Sequence, residues 1–312
     1  MAPDYRPMRA ALIRAVRDFF HHRGFVETDT PTLVMSPGME PHIRPLTVEG
    51  RRCFLPTSPE FAMKKLLAQG YTRIFQVCRA YRLEPRSSTH NPEFAILEWY
   101  RAHSGYEQIM DDVEELFVAI GHALQSPVDV SRPWPRLSVE ECFERFAGRD
   151  LVAMLPADDA TDLERERFND EFFKVFMDEV EPGLKALSRP VIVHGYPWFQ
   201  AALSNLYTDE RGLRWAKRFE VYGGGLELGN AFDELTDAAE QRQRFEKDMA
   251  LRQKIYGAGF PPSPVDEELL TAIGKMSPTG GIAMGIDRMV MYFTGAASID
   301  EVVWLPSHWS EV

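Results

Sequence analysis

Residues 80–100 read AYRLEPRSSTHNPEFAILEWY, and how this stretch folds decides the rest of the chain. YTRIFQVCRAYRL (71–83) is rich in β-branched and aromatic residues and predicts a strand, PRSSTHNP (85–92) is built of turn formers, and EFAILEWYRAH (93–103) predicts a second strand. Together they make a long antiparallel hairpin. Alternation puts Phe94, Ile96, Glu98 and Tyr100 on one face of the outgoing strand and Ala95, Leu97 and Trp99 on the other. The same rule sets Arg82 and Glu84 on one face of the incoming strand, so Arg82, Glu84, Phe94, Glu98 and Tyr100 can line one surface. A guanidinium fork suits phosphate or carboxylate, and an aromatic face takes a nucleobase. Cross-strand Arg/Glu pairing on a wet sheet face would give the same pattern, so this segment alone leaves both readings open.

Upstream, Met8, Leu12, Val16, Phe19 and Phe20 recur at helical spacing between Arg6 and Gly24. FVETDTPTLV (25–34) then predicts an edge or interface strand that Pro31 ends or bends. A helix follows SPE (58–60) through FAMKKLLAQG, with Ser58 as its cap and Gly70 as its terminator. Residues 105–124 predict an amphipathic helix with Ile109, Val113, Leu116, Phe117, Ile120 and Leu124 inward, and about 126–188 a helical insertion carrying no chemical signal. RPVIVHGYP, RFEVYGGGLELGNAF and GGIAMGI predict three further strands, and helices are expected at about 238–256 and 286–294. Hairpin-paired strands with helices between and at the ends give an α+β class with a mainly antiparallel sheet, in one domain spanning 1–312. GGGLELG and GGIAMG lack the lysine and the strand-to-helix context of a phosphate loop.

The chain has 312 residues, 45% of them hydrophobic, enough to bury a sizeable core without disulfides. Its three cysteines, Cys53, Cys78 and Cys142, follow neither a zinc nor a disulfide spacing. No apolar run is long enough to cross a bilayer, and a cytoplasmic location is the expectation. A formal net charge of -12 argues against a protein that grips nucleic acid over a broad surface.

Two further stretches carry chemistry. In RFEVYGGGLELGNAFDELTD, Glu220 and Glu227 lie seven apart across glycines that predict a bulge. Brought together, with Asn230 and Glu234 nearby, such carboxylates suit a magnesium ion that bridges phosphate oxygens; solvated acids beside a glycine bulge are the plain alternative. In GGIAMGIDR, small residues let a ligand approach a strand closely, and Arg288 sits at the start of a helix whose N-terminus favours anions. Packing of small residues, with a surface Asp287–Arg288 pair, would also explain it.

The combination is more specific than its parts. A helix–strand–Pro element, an FRxE-like hairpin with HNPEF, a Glu-rich strand and a GxGxxR-like end resemble the class II aminoacyl-tRNA synthetase catalytic domain. THNPEFAILEWY, RFEVYGGGLELGNAFDELTD and GIAMGIDRMVM resemble its lysine branch, and the resemblance runs from about Arg6 to Val303. It implies ATP and Mg2+ as cofactors and a homodimer. It implies that Arg82 takes the α-phosphate and substrate carboxylate, that Leu83 belongs to the ATP site, that Glu84 lies at the adenine amino group, that Phe94 stacks on adenine, and that His90 and Asn91 reach phosphates or ribose. Glu220 and Glu227 would hold magnesium, with Leu228 in backbone reach, while Gly285 and Arg288 complete the nucleotide pocket. Arg82 and Arg288 are the implied catalytic pair. For the amino acid it implies Glu60 at the amine, Ser58 and Pro59 along that wall, Glu98, Tyr100, Asn230 and Glu234 around the side-chain ammonium, and Ala283 in the floor.

Tyrosine, carboxylates and one arginine are what a dicationic amino acid with a single carboxylate needs. A tRNA-charging member carries an anticodon-binding domain ahead of this region, whereas here about five residues precede the first helix. The chain is therefore more similar to the truncated paralogues that ligate (R)-β-lysine to a lysine of translation elongation factor P, which makes that protein the expected acceptor and tRNA an unexpected one. Ala283 stands where the tRNA enzymes have glycine, which favours an amine one carbon further along. Gly229, Ala231, Asp233, Leu83 and the PRSS loop depart from the paralogue pattern and bear on substrate and acceptor preference. A tRNA-charging enzyme and a non-catalytic amino-acid or nucleotide sensor are the alternatives.

Overall fold

The computed structural model describes residues 4–157, 159–257 and 264–306. One sheet of nine strands organises them: β1 Val26–Glu27, β2 Arg73–Tyr81, β3 Glu93–Ala102, β4 Arg136–Ser138, β5 Val191–Pro197, β6 Leu206–Thr208, β7 Arg214–Gly223, β8 Leu226–Asp233 and β9 Thr279–Gly285. Their order is β1-β2-β3-β9-β8-β7-β5-β4, with β6 on β7. Only the outer pairs β1–β2 and β4–β5 are parallel, so the α+β, mainly antiparallel expectation holds. The helices are α1 Arg6–His22, α2 Glu60–Ala68, α3 Tyr106–Leu124, α4 Val139–Cys142, α5 Leu151–Met154, α6 Asp162–Val175, α7 Glu181–Lys185, α8 Ala238–Tyr256, α9 Glu267–Ile273 and α10 Ile286–Thr294. Among the described residues no helix is long and apolar enough to cross a membrane.

The hairpin β2–β3 pairs in register from Arg73↔Arg101 to Tyr81↔Glu93. The face carrying Ala95, Leu97 and Trp99 packs into a core with α1, α3 and α10, through Leu12, Phe20, Val113, Phe117 and Met289. Each fully buried side chain of this size contributes roughly 1.5–3 kcal/mol through the hydrophobic effect. A second core lies between the 139–184 helices and β5/β7, and a third joins α2, α8 and α9 to Tyr100. The opposite face of β3, β9 and β8 is thereby left to polar side chains.

Four expectations need correction. Of FVETDTPTLV only Val26–Glu27 pairs as a strand, because Pro31 has no amide hydrogen to give a ladder. RFEVYGGGLELGNAF is two strands, not one: Gly224 and Gly225 take φ of +62° and +83°, turning the chain between β7 and β8. A bulge is present, but between Val221 and Tyr222, ahead of the glycines expected to make it. The 126–188 segment is mostly helical but includes β4, which extends the sheet. Finally β2 ends at Tyr81, and Glu84 N–H bonds back to Arg82 C=O, so Glu84 sits in a tight turn and does not continue the alternation. The patterns of α1, α3, α8 and α10 are as expected, and α9 was not foreseen.

Candidate active site

Register builds the site from the middle of the sheet. Ala283 of β9 lies between Glu98 of β3 and Asn230 of β8, and Gly281 lies between Tyr100 and Phe232. Glycine at 281 is required by crowding: a Cβ there would come within 2.4 Å of the Tyr100 ring and 2.5 Å of a Glu234 carboxyl oxygen. Small residues on β9 thus let side chains from both neighbouring strands lean over it.

The N-terminus of α2 closes this pocket. The Ser58 hydroxyl donates to Glu98 Oε1 (2.5 Å) and accepts from the Glu60 N–H (2.9 Å); Pro59 holds the N-cap position, so Ser58 acts one residue earlier than a cap. Tyr100 donates to Glu98 Oε2 at 3.1 Å. Glu98 is 1% exposed, and burial, then the neighbouring Glu60, pushes its carboxyl up to about 8. Burial, then Glu98, holds the Tyr100 phenol well above its ordinary range.

Beneath them lies a residue that the sequence reading missed. Lys64 places Nζ 2.6 Å from Glu60 and 2.6 Å from Glu234, and is 1% exposed. Burial opposes its charge, but Glu234 and Glu60 outweigh it and the ammonium is held more firmly than usual. Burial pushes Glu60 and Glu234 upward while Lys64 pulls them back. The i, i+4 spacing from Glu60 was the available signal, although it looks the same as any surface helix pair.

The other end of the site is built differently. The Arg82 guanidinium lies 5.0 Å over the Phe94 ring and Nε reaches the Thr57 carbonyl at 3.4 Å. Arg288, in the first turn of α10, donates to the Glu227 carbonyl (2.8 Å) and the Thr89 carbonyl (3.3 Å), and meets His90 Nε2 at 2.6 Å. Accepting from a guanidinium requires an unprotonated Nε2, and burial, then Arg288, keeps the His90 pKa below its usual value. His90 Nδ1 is within 2.9 Å of Ser87 and 3.0 Å of Thr89, which fixes the ring. Gly285 holds the N-cap position of α10, where a Cβ would make ordinary contact with the Arg288 side chain at 3.8 Å. Below Arg288, buried Asp287 pairs with Arg9 of α1 and accepts the Ala95 N–H, rather than forming a surface pair with Arg288.

Glu220 accepts from Tyr196 and Tyr222, both at 2.6 Å, and from Arg218, which also bonds Asn230 Oδ1 at 3.1 Å. Glu227 keeps 42% of its side chain exposed, and desolvation within the cleft, then Glu220, raises its carboxyl above the usual range. A carboxylate pair with lone pairs to spare fits an ion that binds one or two carboxylates, phosphate oxygens and waters. Among the described residues no cluster of three or more metal-ligating side chains forms a closed cage, as that mode of binding allows.

Three expected residues are placed less directly. Leu83 is 43% exposed and is tied to the Arg44 carbonyl through its own N–H. Leu228 packs its side chain into the core. The Asn91 amide oxygen accepts from Arg86, which also pairs with Asp300 at 2.6 Å, so it anchors the 85–92 loop. Arg86, Arg218, Tyr196, Tyr222 and Gly281 were not singled out in the sequence, since only the fold brings them to the site.

Comparison with known proteins accords with this geometry. Residues 6–308 match the family described as tRNA synthetases class II (D, K and N). A protein of Edwardsiella ictaluri named elongation factor P--(R)-beta-lysine ligase is 37% identical over 95% of this chain and 92% of its own length. Its namesakes in Salmonella paratyphi B and Salmonella schwarzengrund are 36% identical over the same shares. The chain therefore belongs to the class II synthetase family of the aspartate, lysine and asparagine type, within its branch of elongation factor P–(R)-β-lysine ligases.

Proposed function

We propose that this protein is an ATP-dependent ligase that activates (R)-β-lysine, or lysine, as its adenylate and passes the acyl group to a lysine side chain of elongation factor P. The observation that carries the reading is the carboxylate-lined pocket over β9, with Ala283 between Glu98 and Asn230 and Arg82 at its nucleotide end. A diamino acid would set its ammonium groups against Glu60, Glu98 and Glu234, and its carboxylate toward Arg82. Phe94 offers a face for the base, and Glu84 lies in the adjoining turn.

In the activation step the substrate carboxylate oxygen bonds to the α-phosphorus as the bond to pyrophosphate breaks; the acceptor amine then bonds to the acyl carbon and AMP leaves. Magnesium, held by Glu220 and Glu227, would neutralise phosphate charge. The protein supplies orientation: Arg288 is pre-positioned by two carbonyls and His90, Glu220 by Tyr196, Tyr222 and Arg218. No side chain is needed as a nucleophile, because alignment and charge complementarity lower the barrier.

The net charge of -12 disfavours tRNA as acceptor, and a cytoplasmic location and a homodimer belong to the same reading. Val26, Leu33 and Met35 are exposed beside β1, the sheet's outer strand, and a second copy would cover them. ATP–pyrophosphate exchange tests the proposal: it is expected with β-lysine or lysine, and absence of exchange with both would overturn it.

A further inference from the structure

We propose that Lys64 is a specificity-determining positioning residue: its buried ammonium, shared by Glu60 and Glu234, sets the charge of the pocket to suit a substrate carrying two ammonium groups. This rests on the reading that the pocket takes a lysine-type amino acid.

The side chain rises one turn after Glu60 on α2 and ends 2.6 Å from each of two carboxyls, one on its own helix and one just beyond β8. At 1% exposure it has no path to the reacting carboxylate, so it acts through Glu60 and Glu234. With a diamino acid bound, its two ammonium groups and that of Lys64 face the carboxylates of Glu60, Glu98 and Glu234, three cations against three anions. Without Lys64 the pocket would bury three carboxyls together, and burial would keep protons on them that a dicationic ligand must displace. The groups facing this cluster are Glu40 from the loop above α2, Tyr100 from β3 and Asp233 at the end of β8. Glu40 is itself drawn to Arg252 on α8. A lysine that merely tied α2 to the sheet would require no such match between charge and substrate.

The test compares wild type, Lys64→Met and Lys64→Met/Glu234→Gln, in which a carboxyl and its counter-ion leave together. KM and kcat for β-lysine, lysine and a neutral-side-chain analogue are measured by pyrophosphate exchange from pH 6 to pH 9. For Lys64→Met the expected result is a rise of about tenfold or more in KM for the diamino acids, a much smaller change in kcat, and a fall of KM with pH displaced upward by about one unit. In the double variant Glu60 and Glu98 restore the two net negative charges, so KM recovers part of its rise and the pH midpoint returns to the wild-type position; should Lys64→Met fail to fold, the double variant is compared with Glu234→Gln, which differs from it by Lys64 alone, and its midpoint is expected to lie higher, an equal midpoint overturning the proposal. Titration of the Glu60 and Glu234 carboxyls by 13C NMR in substrate-free protein is expected to move upward in Lys64→Met. If KM profiles and carboxyl titrations match the wild type, or the double variant keeps the displaced midpoint, the proposal is overturned. Wild type inactive with every lysine-type substrate would overturn the functional reading, and the NMR titration would still decide whether Lys64 sets the ionisation of the cluster.

Discussion

The two ends of the site both gather acids, yet they balance them in opposite ways. At the end proposed for the amino acid Glu98 and Glu234 are each 1% exposed, and Lys64 pairs with Glu60 and Glu234. At the end proposed for the nucleotide Arg82, Arg218 and Arg288 surround Glu220 and Glu227, and two tyrosine hydroxyls hold Glu220. The first is left short of positive charge, which a diammonium substrate supplies. The second has guanidinium groups resting on backbone carbonyls and an aromatic ring, contacts that can be exchanged for charge-assisted bonds to phosphate. A pocket's chemistry is thus read from its charge deficit as well as from its residue types.

The comparison can be broken most severely at the nucleotide end. Arg288→Ala is expected to lower kcat for adenylate formation by ~10²–10³-fold with little change in lysine binding measured by calorimetry, since it removes a fixed donor for developing phosphate charge. Gly281→Ala should act at the other end: its methyl would collide with Tyr100 and Glu234, raising KM for the amino acid by about 10–100-fold while ATP affinity holds. Ala283→Gly should shift the ratio of kcat/KM for β-lysine over lysine toward lysine by about 10-fold, within the ~1–3 kcal/mol that one methyl group commands.

A separate effect is read on stability, without substrate. Because Glu98 titrates near 8 in the folded protein, against about 4.3 unfolded, the folded state binds its proton more tightly. Its contribution is complete below the unfolded value and is lost as pH rises toward 8. Thermal midpoints of the ligand-free protein should therefore fall from pH 5 to pH 8, and Glu98→Gln should flatten that fall; an equal slope in both proteins would contradict the assigned burial.

Much of the fold was legible because α1, α3 and β3 obey simple periodicities, and Glu98 and Tyr100 follow from alternation alone. The reading failed where glycine or a turn interrupts the period: Gly224–Gly225 divides one apparent strand into two, and the turn at Glu84 ends an alternation that the residues themselves would continue. Glu60, Glu98, Glu234 and Arg288 were named from the motif resemblance, and the structure brings Glu60 and Glu234 together at Lys64. Lys64 and Gly281 stayed hidden for a physical reason. A lysine four residues from a glutamate is the commonest of helix pairs, and only the sheet's register shows which side chains a missing Cβ makes room for.

The central claim is tested most directly by one labelling experiment in which the protein receives ATP, labelled lysine and β-lysine in separate reactions, and both elongation factor P and tRNA as acceptors. Label is expected on a lysine of elongation factor P, more from β-lysine than from lysine, and none on tRNA. Label on tRNA, or adenylate formation with no transfer to elongation factor P, would contradict it.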